Sequence, residues 1–261
     1  MTMKVATVLI TGASSGIGLE LAHVFAEHGD NLVLVARDSS RLTKLAKTLS
    51  NQYGLRVEAI CLDLTKPDAI GTLVKTLKDE DIHIDTLVNN AGFGLFGDFA
   101  SSDWKRERDM IDLNIRVVTE LTSHFVKGMK TSGAGRILNV ASTAAFLPGP
   151  MMAVYYATKA YVLSWSVALA EELKHHNIVV TALCPGPTKT SFATSAQATK
   201  SPLFKGRLGS ANGVARAGYR GLVRGKAIVV PGWKNKLLTF LPRLFSRPLQ
   251  ARFVNTASQE K

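Results

Sequence analysis

The stretch Val5-Ala-Thr-Val-Leu-Ile-Thr11-Gly-Ala-Ser-Ser-Gly-Ile-Gly18 decides the reading of the whole chain. Its first half, Val5–Ile10, is a short apolar run of the kind that forms a strand covered on both faces. An amphipathic helical pattern begins at residue 16. Gly12, Gly16 and Gly18 lie between and into these elements, with Ser14, Ser15 and Ile17. Missing side chains let the backbone turn sharply and approach a pyrophosphate, and the helix start offers it free N–H groups and a positive dipole end. The spacing is Gly-x₃-Gly-x-Gly rather than the commoner Gly-x-Gly-x-x-Gly. Its place between a first strand and a first helix favours nucleotide binding over a merely tight connection.

The same alternation continues outward. Strands are expected at Asn31–Val35, Val57–Leu62, Thr86–Val88, Arg136–Val140, Ile178–Leu183 and Ala227–Val230, most of them apolar throughout. Helical patterns fall at 16–28, 39–52, 66–78, 103–130, 152–175 and 209–224; Leu42, Leu45, Ala46 and Leu49 show the spacing of a helix buried on one face. The fold class is α/β: one doubly wound Rossmann domain with a mostly parallel seven-stranded sheet and helices on both faces. Residues 1–232 form this domain, and 233–261 are its basic, apolar extension.

The second strand ends at Ala36-Arg37. A carboxylate there would bind the adenosine ribose 2′-OH and repel a 2′-phosphate; Ala36 and the guanidinium of Arg37 favour the phosphate, hence NADP(H). The alternatives are a solvated Arg37 or an NAD-type acid displaced by one residue to Asp38. Arg41 lies one helical turn further on.

Bulk properties limit the function classes. The 261 residues are 46% hydrophobic and 20% charged, ordinary for a globular protein with a substantial core. Cys61 and Cys184 lie in apolar β-like runs and read as two reduced core thiols in a cytoplasmic protein. The first apolar run is too short for a signal-peptide core, and no stretch reaches the length of a bilayer span. Residues 200–261 hold 13 of the 32 Lys and Arg but one acid, Glu260, so the whole formal +12 sits in that quarter.

Tyr155 and Lys159 are four apart on a helical pattern and share a face. A free tyrosine has a pKa of about 10, and lowering it to about 7 takes roughly 4 kcal/mol of preferential stabilisation of phenolate. A lysine ammonium one turn away, with an oxidised nicotinamide ring, could supply it. Tyr155 would then pass a proton to or from a substrate oxygen. A buried tyrosine beside a snorkelling lysine is the plainer alternative. Tyr156 and Tyr161 lack a lysine at +4 and read as packing residues. Ser142, just past the strand ending at Val140, could hold the substrate oxygen or be a turn residue. No histidine or cysteine spacing suggests a metal; His175 and His176 point to different sides of their helix.

Thr11–Gly18, Asn89-Asn90-Ala91-Gly92, Asn114, Ser142, Tyr155-x₃-Lys159 and Pro185-Gly186 occur in the order of the short-chain dehydrogenases/reductases, and from Lys4 to about Gly232 the chain resembles that family. The resemblance is to its NADP-preferring reductases. It implies catalytic roles for Ser142, Tyr155, Lys159 and Asn114, the last holding a water that links Lys159 to solvent. It also implies cofactor contacts from Asp63 with adjoining Leu64, from Asn90, Ala91 and Gly92 beside the adenosine ribose, and from Pro185, Gly186 and Thr188 at the nicotinamide. Thr190 would reach a phosphate. For Asp63, helix capping competes with an adenine contact. The family also implies a homodimer or homotetramer built on helices 103–130 and 152–175.

The expected activity is reduction of a ketone, aldehyde or 3-oxoacyl group. The competing readings are a non-catalytic NADP(H) sensor and an NAD-dependent alcohol dehydrogenase of the same family. A lid at about 190–208, with Phe192, Leu203 and Phe204, suggests a hydrophobic carbonyl or alcohol substrate. The tail 233–254 interleaves Leu and Phe with Lys and Arg, broken by Pro242 and Pro248. It suits packing on its own subunits, a membrane surface, or an acidic carrier; nucleic acid is disfavoured, because no recognition module accompanies the charge.

Overall fold

In the computed structural model, which describes residues 5–198, 206 and 208–258, strand β1 (Thr7–Thr11) sits third in a seven-stranded sheet. Its companions are β2 (Asn31–Ala36), β3 (Val57–Cys61), β4 (Thr86–Asn89), β5 (Gly135–Val140), β6 (Ile178–Leu183) and β7 (Ile228–Val229). Their order is β3-β2-β1-β4-β5-β6-β7, and every pair is parallel. From β1 the chain winds first toward β3 and then back to β4, so the carboxyl ends of β1 and β4 flank the crevice where such sheets bind ligands.

The helices are α1 (Gly16–Glu27), α2 (Ser39–Tyr53), α3 (Ala69–Asp79), α4 (Trp104–Ile111), α5 (Val117–Ser132), α6 (Ala153–Glu172), α7 (Phe192–Ser195), α8 (Ala211–Val223), α9 (Trp233–Phe240) and α10 (Arg247–Ser258). Period-two geometry sends alternate strand residues to opposite faces. Val8, Ile10, Leu32 and Leu34 pack with Leu21, Phe25, Leu42 and Leu49 of α1 and α2, and with Val214 and Leu222 of α8. Leu9, Val33, Val35, Leu87 and Ile137 pack on the other face with Leu73 of α3 and Leu121 of α5. Both faces are therefore covered, which is why the inner strands read as largely apolar runs.

Three expectations are corrected. Cys61 is exposed, not a core thiol: it ends the edge strand β3, whose residues alternate toward solvent. Its Sγ donates to the Arg37 carbonyl at 3.3 Å, while Cys184 is buried as expected. The pattern at 103–130 is not one regular helix, because α4 passes through a π-helical turn, Asp112–Arg116, before α5. His175 and His176 lie in a 3₁₀ turn, Lys174–His176, after α6 has ended.

Candidate active site at the carboxyl end of the sheet

A cleft of about 910 Å³ runs along the carboxyl edge of the sheet. Gly12, Ser14, Ser15, Gly16 and Ile17 line one end, and Ser142, Tyr155 and Lys159 the other. Arg37, Asp63, Leu64, Asn90, Ala91 and Gly92 lie along it, as do Pro185, Gly186, Thr188 and Thr190. Of the expected site residues, Gly18 and Asn114 lie behind the lining.

At the glycine-rich end the backbone explains the residues. Gly12 has φ +67°, and a Cβ there would lie 2.8 Å from Asn90 Nδ2 and 2.9 Å from Ala91 Cα. A Cβ on Gly18 would stand 2.3 Å from the Gly12 carbonyl oxygen, so α1 can pack this closely on its loop only with glycine. Ser15 is the N-cap of α1 but makes no side-chain capping bond, which leaves the first-turn N–H groups open to an anion. Thr190 packs over Gly16 from the far loop, where a glycine Cβ would lie 3.1 Å from its Cγ2.

Asn90 also ties the first loop to the fourth. Its amide donates to the Thr11 and Gly12 carbonyls at 2.9 and 3.2 Å, and the backbone N–H groups of Asn90 and Ala91 both donate to Thr11 Oγ1 at 3.0 Å. Side chains thus tie the first loop to the fourth, and Thr11 is a residue that sequence reasoning missed. Beneath them Asn89 Nδ2 donates to Thr122 Oγ1 and Asn139 Oδ1, and Asn139 Nδ2 to Ser166 Oγ, a buried chain joining β4, β5, α5 and α6.

Arg37 is exposed at the cleft wall. Asp38 is the N-cap of α2: its carboxylate accepts from the Arg41 N–H at 3.0 Å and from Ser40 Oγ at 3.1 Å. The Arg41 guanidinium also pairs with it, at 3.2 Å. Asp63 caps no helix, because α3 starts six residues later. It accepts from the Thr65 N–H and hydroxyl at 3.1 and 2.8 Å. Partial burial raises its pKa, but those bonds, with Arg37 and Lys66 nearby, outweigh it and hold the carboxyl below its ordinary value.

At the other end, Tyr155 and Lys159 project from the first turns of α6 and are 8% and 6% exposed. Lys159 Nζ donates to the Val140 carbonyl at 2.8 Å and lies 5.9 Å from the Tyr155 ring centroid. Burial pushes its pKa down to about 8, against a smaller upward pull from Cys184. The Tyr155 phenol is not lowered in the protein alone. Burial dominates and raises it, with a hydrogen bond to Ser142 opposing. Sequence reasoning weighed charge and left out desolvation, which disfavours phenolate strongly here. Ser142 Oγ also accepts the Ala144 N–H at 3.1 Å, which holds the hydroxyl at the cleft.

Asn114 is fully buried in the π-helical turn. Its Oδ1 accepts the Phe93 N–H at 3.2 Å, and its Nδ2 donates to the Phe93 carbonyl at 3.0 Å and to Thr158 Oγ1 at 3.1 Å. A Cβ on Gly92 would stand 2.8 Å from Asn114 Oδ1 and 3.5 Å from Lys159 Nζ, so glycine leaves that corner open. Tyr156 lines the cleft and fills the space beside Gly149, as a packing residue. Tyr161 lies outside it, its hydroxyl 3.1 Å from Thr119 Oγ1.

The Tyr155 end of the cleft is bounded by residues that sequence reasoning did not place there. Leu238, Leu241, Pro242, Phe245, Phe253 and Val254, from α9 to α10, form its outer wall, facing Leu147, Met152 and Phe192. Phe192 packs its ring 5.3 Å from that of Tyr155; Leu203 and Phe204 lie outside the described residues. The signal was present in the spacing of apolar residues through 238–254, but nothing in it said which way they face. Gly186 shows how the wall attaches: a Cβ there would stand 2.5 Å from Asn235 Oδ1, so α9 seats its asparagine in the gap. Among the described residues no three His, Cys, Asp or Glu side chains cluster.

The chain belongs to the short-chain dehydrogenase family, whose model matches residues 6–201. It is therefore an oxidoreductase of the kind that acts on CH–OH or C=O groups. Among similar solved structures, a short-chain dehydrogenase from Sphingobium yanoikuyae in complex with NADPH is 35% identical, with a TM-score of 0.83, over 92% of this chain and 91% of the other. The bulky-bulky ketone specific alcohol dehydrogenase of Comamonas testosteroni is 31% identical over 93% of both chains, with a TM-score of 0.79. A very-long-chain 3-oxoacyl-CoA reductase of Pyrenophora tritici-repentis is 32% identical across 79% of this chain and 65% of its own.

Proposed function

We propose that the protein is an NADP(H)-dependent reductase that converts a ketone, aldehyde or 3-oxoacyl group to an alcohol, with Tyr155 as general acid. The observation that carries this reading is one cleft with an uncapped, glycine-lined helix start at one end and Tyr155, hydrogen-bonded to Ser142 and beside Lys159, at the other. Gly12–Gly18 would hold the pyrophosphate and Thr188 the nicotinamide side, with Asp63 and Asn90–Gly92 at the adenosine half. When bound, the nicotinamide supplies the hydride. Ser142 would hold the substrate oxygen, and the Tyr155 O–H would deliver its proton there. Lys159, lowered to about 8, can exchange protons near neutral pH and so resupply the tyrosine. Asn114 would keep the Phe93 backbone and the corner beside Lys159 in place.

The preference for NADP(H) over NAD(H) is supported by Arg37 standing exposed at the wall while the Asp38 carboxylate is occupied as a helix cap. The NADPH complex of the Sphingobium relative points the same way. The apolar wall of Leu238, Phe245 and Phe253 favours a hydrophobic carbonyl, in keeping with the ketone and 3-oxoacyl specificities of two relatives. We read 1–232 as the working domain with 233–261 as its extension, in a cytoplasmic homodimer or homotetramer. Trp104 and Tyr161, exposed on α4 and α6, suit such an interface. The test is oxidation of NADPH and NADH against bulky ketones, aldehydes and 3-oxoacyl thioesters, beside Tyr155→Phe. Turnover with NADPH that the variant abolishes supports the reading; tight NADPH binding without turnover on any of them would replace it with a sensor.

A further inference from the structure

The last helices expose the side chains that a packed helix buries. Trp233, Leu237, Phe240, Leu241 and Leu244 recur at i, i+4, i+7, i+8 and i+11 along α9 and the 3₁₀ turn that follows, and so share one helical face. They are 72%, 49%, 56%, 40% and 66% exposed. Phe253 of α10, with its ring 6.3 Å from that of Phe245, extends the patch and is 62% exposed. The residues this segment buries are Thr239, Pro242, Gln250 and Ser258. Gln250 Nε2 donates to the Pro242 and Phe245 carbonyls at 2.6 and 2.8 Å, which fixes the two helical pieces to each other. Lys234, Lys236, Arg243, Arg247 and Arg252 are interleaved, with no acid anywhere between 233 and 258.

We propose that this lip docks on an anionic bilayer surface, its apolar stripe among the outer acyl carbons and its five cations at headgroup phosphates. An interfacial segment needs large apolar side chains on one face and Lys or Arg beside them, and it lies in the surface instead of crossing it. No helix among the described residues is long and apolar enough to cross a membrane. A second copy of the chain is the poorer occupant. A two-fold axis through this face would set five cations against the same five with no acid to offset them. A soluble acidic protein would answer the charge but not so broad a run of Trp, Leu and Phe. Leu238, Leu241, Pro242, Phe245 and Phe253 belong at once to the lip and to the cleft wall, so docking brings the cleft mouth to the lipid. That route for an apolar substrate rests on the reductase reading; the docking does not.

The full chain is mixed with vesicles of phosphatidylcholine, alone or with about 30 mol% phosphatidylglycerol, and followed by co-sedimentation and by quenching of tryptophan emission with brominated lipid. Binding at least about tenfold stronger to the anionic vesicles, weakened by salt, is expected. The quenched component is expected to vanish in Trp233→Phe. The combined variant Leu237→Ser, Phe240→Ser, Leu244→Ser alters no cleft-lining residue; it should lose vesicle binding and keep NADPH binding. Should that variant fold poorly, the Trp233 quenching decides alone. No partition onto anionic vesicles overturns the proposal, as does vesicle binding with Trp233 unquenched. A wild-type dimer that ignores vesicles and dissociates in the combined variant assigns the face to a second copy. Capture by an acidic carrier protein without vesicle binding assigns it there.

Discussion

Replacing Lys159 by methionine separates what the cleft needs from what the fold tolerates. The side chain is 6% exposed, and burial lowers its pKa from its ordinary 10.5 to about 8. At about 1.4 kcal/mol per pH unit, the folded protein carries a penalty of about 3 kcal/mol for the ammonium form. Because the folded value lies below the unfolded one, that penalty is complete below about pH 8. It disappears as pH rises to the unfolded value of about 10.5, where both states become neutral. Methionine removes the penalty and roughly fills the stem, but takes from the Val140 carbonyl its donor at 2.8 Å. An orphaned buried acceptor costs about 1–3 kcal/mol. Lys159→Met should therefore be as stable as the wild type at pH 7, or up to about 2 kcal/mol more stable, and less stable by about 1–3 kcal/mol near pH 10.5. Turnover should fall at least about 10²-fold throughout. Urea unfolding of both proteins at the two pH values measures the difference, and comparing the pair cancels every other titrating group. A variant about 2 kcal/mol less stable at pH 7, or a difference that does not move with pH, would refute the reasoning, because the ammonium would then be held by a partner rather than penalised by burial.

Other substitutions test other parts. Arg37→Ala should weaken NADPH binding about 10- to 100-fold, the worth of a charge-assisted phosphate contact, and leave NADH binding alone; direct titration of each cofactor decides it. Gly18→Ala should cost several kcal/mol, or abolish NADPH binding, since its Cβ would lie 2.3 Å from the Gly12 carbonyl oxygen; unchanged melting and titration would contradict that close approach. Asn114→Leu should lower stability by about 2–4 kcal/mol, as it strands the Phe93 N–H and carbonyl together, and thermal melts would detect it. Burial raises the Asp30 pKa to about 6, eased by Arg136 and His28, so its charged form burdens the fold above that pH. Asp30→Asn should raise the melting temperature at pH 8 and leave it nearly unchanged at pH 3, below both the raised value and the ordinary 3.8.

The sheet was legible because its inner strands are buried on both faces and carry apolar runs, from Leu32–Val35 to Ile178–Val180. The edge was less so: Cys61 lies in a run of the same appearance, yet β3 has a neighbour on one side alone. Tyr155 and Lys159 could be paired from their spacing, since a helix fixes which residues share a face. The direction of the tyrosine's pKa could not, because it depends on how much water the folded cleft excludes. Asn114 was placed on a helix but not in a π turn, because the local hydrogen-bond register is set by what the side chain must reach, here the Phe93 backbone. The cleft wall was hidden for a similar reason. The apolar spacing of 238–254 is visible in the chain, but its orientation follows from Asn235 seating in the gap at Gly186.

The wall also divides labour along the chain. The stretch that matches the family ends at residue 201, while the wall begins at Leu238, so on the proposed reading the residues for proton transfer and nucleotide binding are complete before the outer wall starts. One place where the two meet is the Asn235 side chain in the gap at Gly186. A tail of different bulk grafted after Gly232 could thus reset which molecules fit without altering a residue of Ser142, Tyr155 or Lys159. In such an arrangement taste in substrates and competence in chemistry can drift apart, each written in its own length of sequence.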